Sequence, residues 1–251
     1  MSLLLAMPLL LAAVKPKFRV LAFYSLKVEP DHIAFAQNAI GFYKAMATKD
    51  GFEFNATTNW DRLSDTELKG VDVVVWLNDF PQTTPQKAAF ERFESNGGGW
   101  LGCHVAGYND KFTKWPWYVD FLGGGVFYTN NWPPMPAKLI VDDRRNPITK
   151  GLPAAYAAPA NEFYMWKPSP RVNPKVHVLV TLDPANYPLG KKDLLTEGDI
   201  PVVWTNTDYR MLYINMGHGD KIFDSDTQNR LFENAILWLG TTHSKSIVKA
   251  Q

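Results

Sequence analysis

The sequence has very little cysteine, because Cys103 is the single such residue among 251. One cysteine excludes an intrachain disulfide framework and any zinc site built from several cysteines. Long runs of lysine or arginine are also missing, and the net charge is only +1. The composition therefore gives no indication of nucleic-acid binding or of attraction to an acidic membrane surface.

No apolar run reaches the length of a membrane span. Residues 3–14 are almost wholly apolar, which is about the length of a signal-peptide core and too short to cross a bilayer. No lysine or arginine precedes this run, and its end only loosely resembles a cleavage site. We predict that residues 1–16 are an export signal, which would make the protein periplasmic or secreted. The alternative is an apolar segment that packs on a cytoplasmic protein.

Nucleotide-binding motifs are missing as well. The pattern G-x-x-x-x-G-K-[ST] does not occur, and Gly123-Gly124-Gly125 matches no dinucleotide fingerprint at the first βα turn. A nucleotide cofactor is therefore not expected.

The residues that are present predict one large folded domain. Hydrophobic residues make up 46% and charged residues 20% of the chain, a balance typical of a packed core. A chain of this length suffices for a single α/β domain. With no internal repeat and no clear linker, we predict one domain over residues 17–240 and a polar tail over residues 241–251.

Strand-like and helix-like patterns alternate along the first half of the chain. We predict strands at residues 18–24, 52–58, 71–77 and 98–105, and helices at residues 31–47, 63–70 and 84–95. This order is typical of βαβ units, and hence of an α/β fold with a mostly parallel central sheet and helices on both faces. The second half is less regular. It contains predicted strands at 137–142, 176–182, 202–205 and 211–215, and a closing helix at 225–239 whose Ser225 and Gln228 fit a capping box.

Several polar residues fall where predicted parallel strands end. Ligands of such sheets bind beyond the carboxyl ends of the strands. His32 follows the first strand, and Asn78 and Asp79 follow the third. We therefore take these three as candidate substrate-binding residues. The alternatives are a helix-cap or surface role for His32 and simple turn roles for Asn78 and Asp79.

The segment Gly102-Cys103-His104-Val105-Ala106 follows the fourth strand. A sharp strand-to-helix turn that lifts one side chain above a sheet needs small residues two before and two after that side chain. Gly102 and Ala106 satisfy this spacing for His104, whereas Cys103 would have bulky neighbours at both positions. The spacing therefore favours His104 at the elbow and Cys103 as a small packed hydrophobe.

Five short motifs in order resemble the ThuA-like family, named for trehalose utilisation and related in fold to class I glutamine amidotransferases and to flavodoxin-like sheets. They are the elbow segment, Leu122-Gly123-Gly124, residues 146–152 (NPITKGL), Asn161-Glu162-Phe163-Tyr164 and residues 216–220 (MGHGD). The resemblance covers residues 18–239. Two departures are Asn161, where family members often carry aspartate, and the lack of a histidine soon after the Leu-Gly-Gly stretch.

The resemblance also implies which residues form the site. The amidotransferase elbow is a cysteine served by a later His-x-Glu, and those positions match His104 and His218-Gly219-Asp220. Glutaminase chemistry is therefore expected to be lost, because imidazole cannot replace the thiolate that forms the acyl intermediate. Asp220 is expected to orient His218. His218 could instead be a hydrogen-bonded loop residue.

Glu162 completes the expected catalytic group, although it could instead pair with a lysine such as Lys167. His104, His218 and Glu162 would also make an open site for zinc or a similar divalent metal. Tyr164 and Trp132 are candidate substrate-binding residues, because exposed aromatic faces suit the C–H faces of a pyranose. The loop tryptophans could equally pack beneath the loops. His177 lies in a strand and is expected to be structural.

Two hypotheses of function stay open. The first is an enzyme that acts on trehalose or a related disaccharide, for example an isomerase or lyase of a keto-sugar that works by histidine-based proton transfer. Hydrolysis with a metal-bound water is a variant of it. The second is a sugar-binding or accessory module without turnover. Either would have a small carbohydrate as its partner, and the sequence leaves a homo-oligomer open.

Overall fold

The structure, a computed structural model, describes residues 15–109, 114–186 and 199–241. Most of the predicted signal segment and of the predicted polar tail lies outside these residues, so both stay predictions. Among the described residues, no helix combines the length and hydrophobicity that a bilayer crossing requires.

The first half of the chain folds close to the pattern that its sequence predicts. All six of the predicted strands and longer helices begin and end within three residues of their predicted bounds, and α2 has those bounds at both ends. The elements are β1 (Arg19–Phe23), α1 (Pro30–Asp50), β2 (Glu53–Thr57), β3 (Val73–Trp76), α2 (Thr84–Ser95) and β4 (Gly99–Cys103). The α2 helix begins with a complete capping box between Thr83 and Gln86.

The predicted short helix at residues 63–70 is wrong. The structure has a 3-10 helix at Trp60–Arg62, followed by turns up to Gly70. Ser64 does accept a hydrogen bond from the Glu67 amide at 3.4 Å, so the capping signal is real, but it closes a single turn. Leu63 and Leu68 are both buried. Residues five positions apart do not lie on the same face of a regular α-helix, so a helix here would not bury both side chains.

The second half contains more strands than the sequence predicts. Four elements were not predicted: α3 (Pro116–Phe121), β5 (Val126–Asn130), β7 (Ala155–Asn161) and β8 (Tyr164–Lys167). The predicted elements are present as β6 (Met135–Val141), β9 (Val176–Leu182), β10 (Pro201–Asn206), β11 (Met211–Ile214) and α4 (Asp226–Thr241).

The N-terminus of α4 carries half of the predicted capping box. Ser225 Oγ accepts a hydrogen bond from the Gln228 amide at 3.3 Å. The Gln228 side chain does not complete the box, because its Oε1 accepts a hydrogen bond from the Tyr156 hydroxyl at 3.3 Å.

A nine-stranded sheet organises the fold, with the strand order β2-β1-β3-β4-β11-β10-β9-β6-β7. The strands from β2 to β11 are parallel, and those from β11 to β7 pair antiparallel. The separate pair β5-β8 is antiparallel. The order 2-1-3-4 at the parallel end is that of flavodoxin-like sheets. The α/β fold class is thus confirmed, with its parallel strands concentrated at one end.

Helices cover both faces of the parallel strands. Because successive strand residues point to opposite faces, β3 places Val73 and Val75 in one core and Val74 and Trp76 in the other. The first core contains buried residues of α1 and α4, and the second contains those of α2 and α3. This arrangement leaves the carboxyl ends of β1, β3, β4 and β11 at one edge of the sheet.

Candidate functional site

Four loops at the carboxyl edge of the sheet bring three imidazoles and one carboxylate together. One ligand atom from each of the four residues lies within 4.8 Å of all the others. All four residues are buried, with between 0% and 8% of their surface exposed. We call them the histidine–glutamate cluster, which consists of His32 in the first turn of α1, His104 after β4, Glu162 after β7 and His218 after β11.

The elbow residue of the cluster is His104. Its φ of +47° lies in the left-handed region, and it is the first residue of a one-turn 3-10 helix, His104–Gly107. Cys103 ends β4, is fully buried in the core on the α1 side, and its pKa is raised by that burial. The predicted register, with imidazole at the turn and sulfur in the core, is therefore the one that the structure has.

Glu162 holds two of the imidazoles. Its Oε2 atom lies 3.5 Å from His104 Nε2 and 3.4 Å from His218 Nδ1. Its other oxygen, Oε1, accepts a hydrogen bond from Asn130 Nδ2 at 3.0 Å. The alternative of a Glu162–Lys167 pair is not what the structure shows, because the charged contacts of this carboxylate among the described residues are with histidines.

The remaining cluster contacts join the rings to one another. His218 Nδ1 lies 3.1 Å from His32 Nε2. The ring centroids of His32 and His104 are 5.1 Å apart, and those of His104 and His218 are 5.8 Å apart. The two histidines from distant parts of the sequence therefore face each other, as the hypothesis of a joint site requires.

Each imidazole has its second nitrogen next to an oxygen acceptor. His104 Nδ1 donates to the Asn215 carbonyl oxygen at 2.9 Å. His218 Nε2 lies 3.3 Å from Asp31 Oδ2, and His32 Nδ1 lies 3.8 Å from Glu29 Oε2. For His104, the bond to Asn215 places the proton on Nδ1 and leaves the Nε2 lone pair directed at the cluster centre. His218 Nδ1 and His32 Nε2 are hydrogen-bonded to each other, so one of these two nitrogens carries a proton.

Burial and mutual contacts shift the four pKa values apart. Burial, and then the nearby His104 and His218, lower the pKa of His32 to about 3. Burial also lowers the pKa of His104, against the opposing effect of Glu162. For Glu162, burial acts upward, but the contacts with both histidines outweigh it and hold its pKa at about 2. Glu162 is therefore ionised and His32 and His104 are neutral near pH 7.

His218 is the most basic ring of the cluster. Burial acts to lower its pKa, but the contact with Glu162 and the charges of Glu29 and Asp31 outweigh burial, so that the pKa is raised. One carboxylate thus holds a neutral imidazole on one side and a more basic imidazole on the other. Groups whose pKa values are pushed apart in this way can act as a base and an acid in one step.

Asn161 fixes the loop that carries His218. Its Oδ1 accepts hydrogen bonds from the backbone amides of Gly217 and His218, both at 3.1 Å. Its Nδ2 donates to the carbonyl oxygens of Glu162 and Asn215 at 2.6 and 3.2 Å. Family members often carry aspartate at this position. The Asn161 side-chain amide both donates and accepts hydrogen bonds, and it thereby ties the loop of Gly217 and His218 to Glu162 and to Asn215.

Both predicted aromatic binding residues border the cluster. The ring of Tyr164 packs on His104 with 4.2 Å between centroids and is buried. Trp132 is 53% exposed, and its ring centroid lies 6.4 Å from that of His218. Of the other loop tryptophans, Trp115 and Trp166 are buried in the core. Trp132 is thus the loop tryptophan that offers an open face beside the site.

Asn78 and Asp79 take different positions at the end of β3. The side chain of Asn78 is buried and bonded to the loop after β1: it accepts from the Ser25 amide and donates to the Ser25 and His32 carbonyls. These contacts favour a role in positioning His32. Asp79 is half-buried, its Oδ1 accepts from the Phe80 amide at 2.9 Å, and burial raises its pKa.

The expectation that Asp220 orients His218 is wrong. Gly219 has a φ of +88°, and the chain turns so that the Asp220 side chain is 61% exposed and lies 3.6 Å from Lys221 Nζ. Asp31 takes the place beside His218 Nε2. The sequence offered a signal for this, because Glu29, Asp31 and His32 stand together after the first strand. This signal is incomplete, because the sequence does not show which histidine the two carboxylates contact.

His177 lies away from the cluster. Its side chain is 43% exposed and its Nε2 atom is 3.3 Å from Asp143 Oδ2. This agrees with the structural role expected for a histidine in a strand.

The fold and site together define a class of protein: a glutamine amidotransferase-like α/β domain with an imidazole at the elbow. One solved structure with this fold is the glutaminase domain of Trypanosoma brucei CTPS with bound acivicin. It has a TM-score of 0.51 and 8% identity, and the match covers 89% of this chain and 93% of that one. At this identity the likeness shows the fold alone.

Closer matches identify the family. The sequence model of the ThuA family, described as trehalose utilisation, matches residues 19–239. A ThuA-like protein from Bacteroides uniformis is 48% identical, with a TM-score of 0.89 and coverage of 93% of this chain and 95% of that one. One from Parabacteroides merdae has 17% identity, a TM-score of 0.64 and 94% coverage of both chains. A search among curated proteins gave no match. The chain belongs to the ThuA family.

Proposed function

We propose that this chain is an enzyme that moves a proton on a disaccharide of the trehalose type, with a keto-sugar as the favoured substrate form. The observation that carries the proposal is Glu162 Oε2, which lies 3.5 Å from His104 Nε2 and 3.4 Å from His218 Nδ1. The family description, trehalose utilisation, supports the substrate class.

The different proton affinities of the two rings suit this chemistry. The hydrogen on a carbon next to a ketone is acidic enough for a neutral imidazole to remove it when the resulting oxyanion is stabilised. His104, whose pKa is lowered by burial, would accept that proton at Nε2. His218, whose pKa is raised by the neighbouring carboxylates, would give a proton to the ketone oxygen in an isomerisation or to the departing glycosidic oxygen in an elimination.

The rim of the site is suited to a sugar. Glu29 and Asp31 are exposed carboxylates beside His32 and His218, and carboxylates accept hydrogen bonds from hydroxyl groups. Trp132 presents an open aromatic face 6.4 Å from the His218 ring. A pyranose ring that stacks on this face would have its hydroxyls at the acidic rim.

Glutamine hydrolysis is not part of the proposal. A glutaminase needs a thiolate at the elbow, and Cys103 is fully buried in the core with its pKa raised by burial. The side chain at the strained turn is an imidazole instead.

A second candidate function is sugar binding without turnover. It is favoured by the low exposure of the cluster, because His104 has no exposed surface and His218 only 2%. A sugar could therefore bind at the exposed rim of Trp132, Asp31 and Glu29 without contact to the elbow ring.

Turnover by matched variants separates the two functions. Trehalose and its keto derivative are incubated with the wild type, His104→Ala, His218→Ala and the control His177→Ala, and products are followed by NMR. The proposal predicts turnover of the keto-sugar and a loss of about 10²- to 10⁴-fold in both cluster variants, with His177→Ala unchanged. Sugar binding with no turnover by any protein, or equal turnover by all four, would refute the enzyme.

A further inference from the structure

The separations between the inward atoms of the cluster match those of ligands around one small cation. The three measured values are 3.1 Å for His218 Nδ1 to His32 Nε2, 3.4 Å for His218 Nδ1 to Glu162 Oε2, and 3.5 Å for His104 Nε2 to Glu162 Oε2. Bonds of about 2.0–2.1 Å to Zn²⁺ place tetrahedral ligands about 3.3 Å apart. The other pairs of ligand atoms lie within 4.8 Å.

The outward nitrogen of each ring has an oxygen nearby, and that of His104 forms the supporting hydrogen bond that metal-binding histidines usually have. Metal-ligating imidazoles almost always give their other N–H to a carboxylate or a backbone carbonyl, which fixes the ring and its tautomer. His104 has the Asn215 carbonyl in that position, at 2.9 Å. A carboxylate lies near each of the other two outward nitrogens without forming a hydrogen bond: Asp31 Oδ2 is 3.3 Å from His218 Nε2, and Glu29 Oε2 is 3.8 Å from His32 Nδ1.

One inward nitrogen is left without a hydrogen bond. His104 is 0% exposed, and its Nε2 atom has no hydrogen-bond partner among the described residues. Its Nδ1 already donates to Asn215, so Nε2 has a free lone pair directed at the cluster centre. A buried acceptor without a partner is costly, and a cation is one partner that would satisfy it.

We propose that His32 Nε2, His104 Nε2, His218 Nδ1 and a Glu162 oxygen together bind one divalent transition-metal ion, with Zn²⁺ as the best fit. His32 thereby becomes a ligand, in addition to the two histidines and the glutamate that the sequence suggests. The proposal uses the same side chains as the proposed function, but binding of the ion needs no sugar. A nitrogen that binds the ion has no lone pair left for a proton, so the metal-bound cluster and proton transfer by His104 Nε2 are two alternative states of the site.

The set of donor atoms selects the class of metal. Three imidazole nitrogens and one carboxylate oxygen suit Zn²⁺ and its neighbours among the first-row ions, whereas Mg²⁺ and Ca²⁺ prefer oxygen ligands throughout. The charge also fits. Once the ion has displaced any ring proton, three neutral imidazoles and the Glu162 carboxylate carry a net charge of −1, and Asp31 and Glu29 lie at the rim. Four protein ligands fill a tetrahedral shell, so such an ion would act as a Lewis acid only toward a sugar oxygen that enters as a fifth ligand.

The binding test uses tag-free protein stripped with a chelator and then dialysed. Co²⁺ is titrated into the wild type, and its visible absorption bands report the ligand geometry; Zn²⁺ competition then gives the affinity and stoichiometry. The proposal predicts one equivalent per chain and bands of nitrogen and oxygen ligation without the intense thiolate charge-transfer band that Cys103 ligation would give.

Three variants test the ligand assignment. Asp31→Asn, which removes the carboxylate charge beside His218 Nε2 and leaves all four proposed ligands in place, should weaken binding about 10- to 100-fold. His32→Ala, which removes a ligand, should weaken it further. His177→Ala is the matched control and should bind like the wild type. Circular dichroism spectra verify that each variant is folded.

The outcomes also keep the two proposals apart. No Co²⁺ bands in the folded wild type, a thiolate band, or equal binding by His32→Ala and His177→Ala would each overturn the metal site. Full turnover by stripped protein that still requires His104 and His218 would support proton transfer by the rings alone. Stoichiometric ion uptake by a protein that turns over no sugar would support the metal site and contradict the proposed function.

Discussion

His104 adopts a backbone conformation that non-glycine residues seldom have. Its φ of +47° costs on the order of 1–3 kcal/mol, and such strain persists only where the surrounding structure holds it in place. Here the Tyr213 hydroxyl donates to the His104 carbonyl at 2.9 Å, and His104 Nδ1 donates to the Asn215 carbonyl. Strain of this kind at the end of a parallel strand is what an elbow requires to direct its side chain away from the sheet, here into the buried cluster.

Cys103 and His104 are neighbours with opposite environments, and this separation can be tested. We expect Cys103→Ala to keep turnover and metal binding within about twofold of the wild type, because the thiol lies in the core on the α1 side. Removing one buried sulfur should lower the free energy of unfolding by about 1 kcal/mol. Turnover assays and urea unfolding measure the two effects, and an inactive but folded Cys103→Ala protein would contradict the assignment.

At the level of single residues, the identity of the site side chains is easier to predict from the sequence than the residues that they contact. The small residues Gly102 and Ala106 predict that His104 occupies the elbow, because a sharp strand-to-helix turn requires small residues at those two positions. The partner of His218 could not be found in this way. Asp220 is two residues away in the sequence, whereas Asp31 is brought to His218 Nε2 by the pairing of distant strands. Only the assembled sheet decides between them.

Among the elements, the loop after β11 must pass very close to the elbow. A β-carbon on Gly217 would lie 2.4 Å from His104 Cβ and 3.4 Å from the Phe35 ring. Glycine at this position therefore allows the two histidine-bearing loops to touch. The backbone amide of Gly217 is also bonded to Asn161 Oδ1, which ties the loop to the end of β7.

We predict that Gly217→Ala displaces His104 and disrupts the cluster. Overpacking of this kind costs about 1–3 kcal/mol of stability, and turnover and Co²⁺ binding should fall toward the levels of His104→Ala. Gly41→Ala is the control, since a β-carbon there meets nothing within 4 Å and alanine favours the helix. Equal activity of the two alanine variants would show that the loops do not need this close approach.

At the scale of the whole molecule, regular alternation in the sequence predicts the parallel half of the sheet, from β1 to β4. The second half of the chain was harder to predict, because two of its strands show little alternation. They are β7 (Ala155–Asn161), which pairs with β6 at the edge of the sheet, and β8 (Tyr164–Lys167), which pairs with β5 outside it. Glu162 lies between these two strands. The sequence therefore gave this residue as a candidate while leaving open what it contacts.

The stability of the whole domain should depend on pH through Glu94, which lies on α2, far from the cluster in the sequence. Glu94 is 5% exposed. Burial raises its pKa to about 8, against the opposing effect of Arg210. In the unfolded chain its pKa returns to about 4.3. The folded state therefore binds a proton that the unfolded state releases between these values, so stability falls as the pH rises from about 4.3 to about 8.

We predict that Glu94→Gln removes this dependence. The free energy of unfolding should rise by on the order of 2–4 kcal/mol at pH 8 and change little near pH 5. Urea unfolding at the two pH values measures the difference. Glu67→Gln, which changes an exposed glutamate paired with Arg62, is the control and should show no such pH-dependent gain. An equal effect of Glu94→Gln at both pH values would contradict the assignment.

The central claim is that four loops of one sheet edge build a single centre around the elbow imidazole. Anomalous diffraction at the zinc edge, from crystals grown with Zn²⁺, tests it most directly. The account predicts one peak at about 2.0–2.2 Å from nitrogens of His32, His104 and His218 and from a Glu162 oxygen. Well-ordered rings with no peak between them, or a peak bound to Cys103 sulfur, would contradict it.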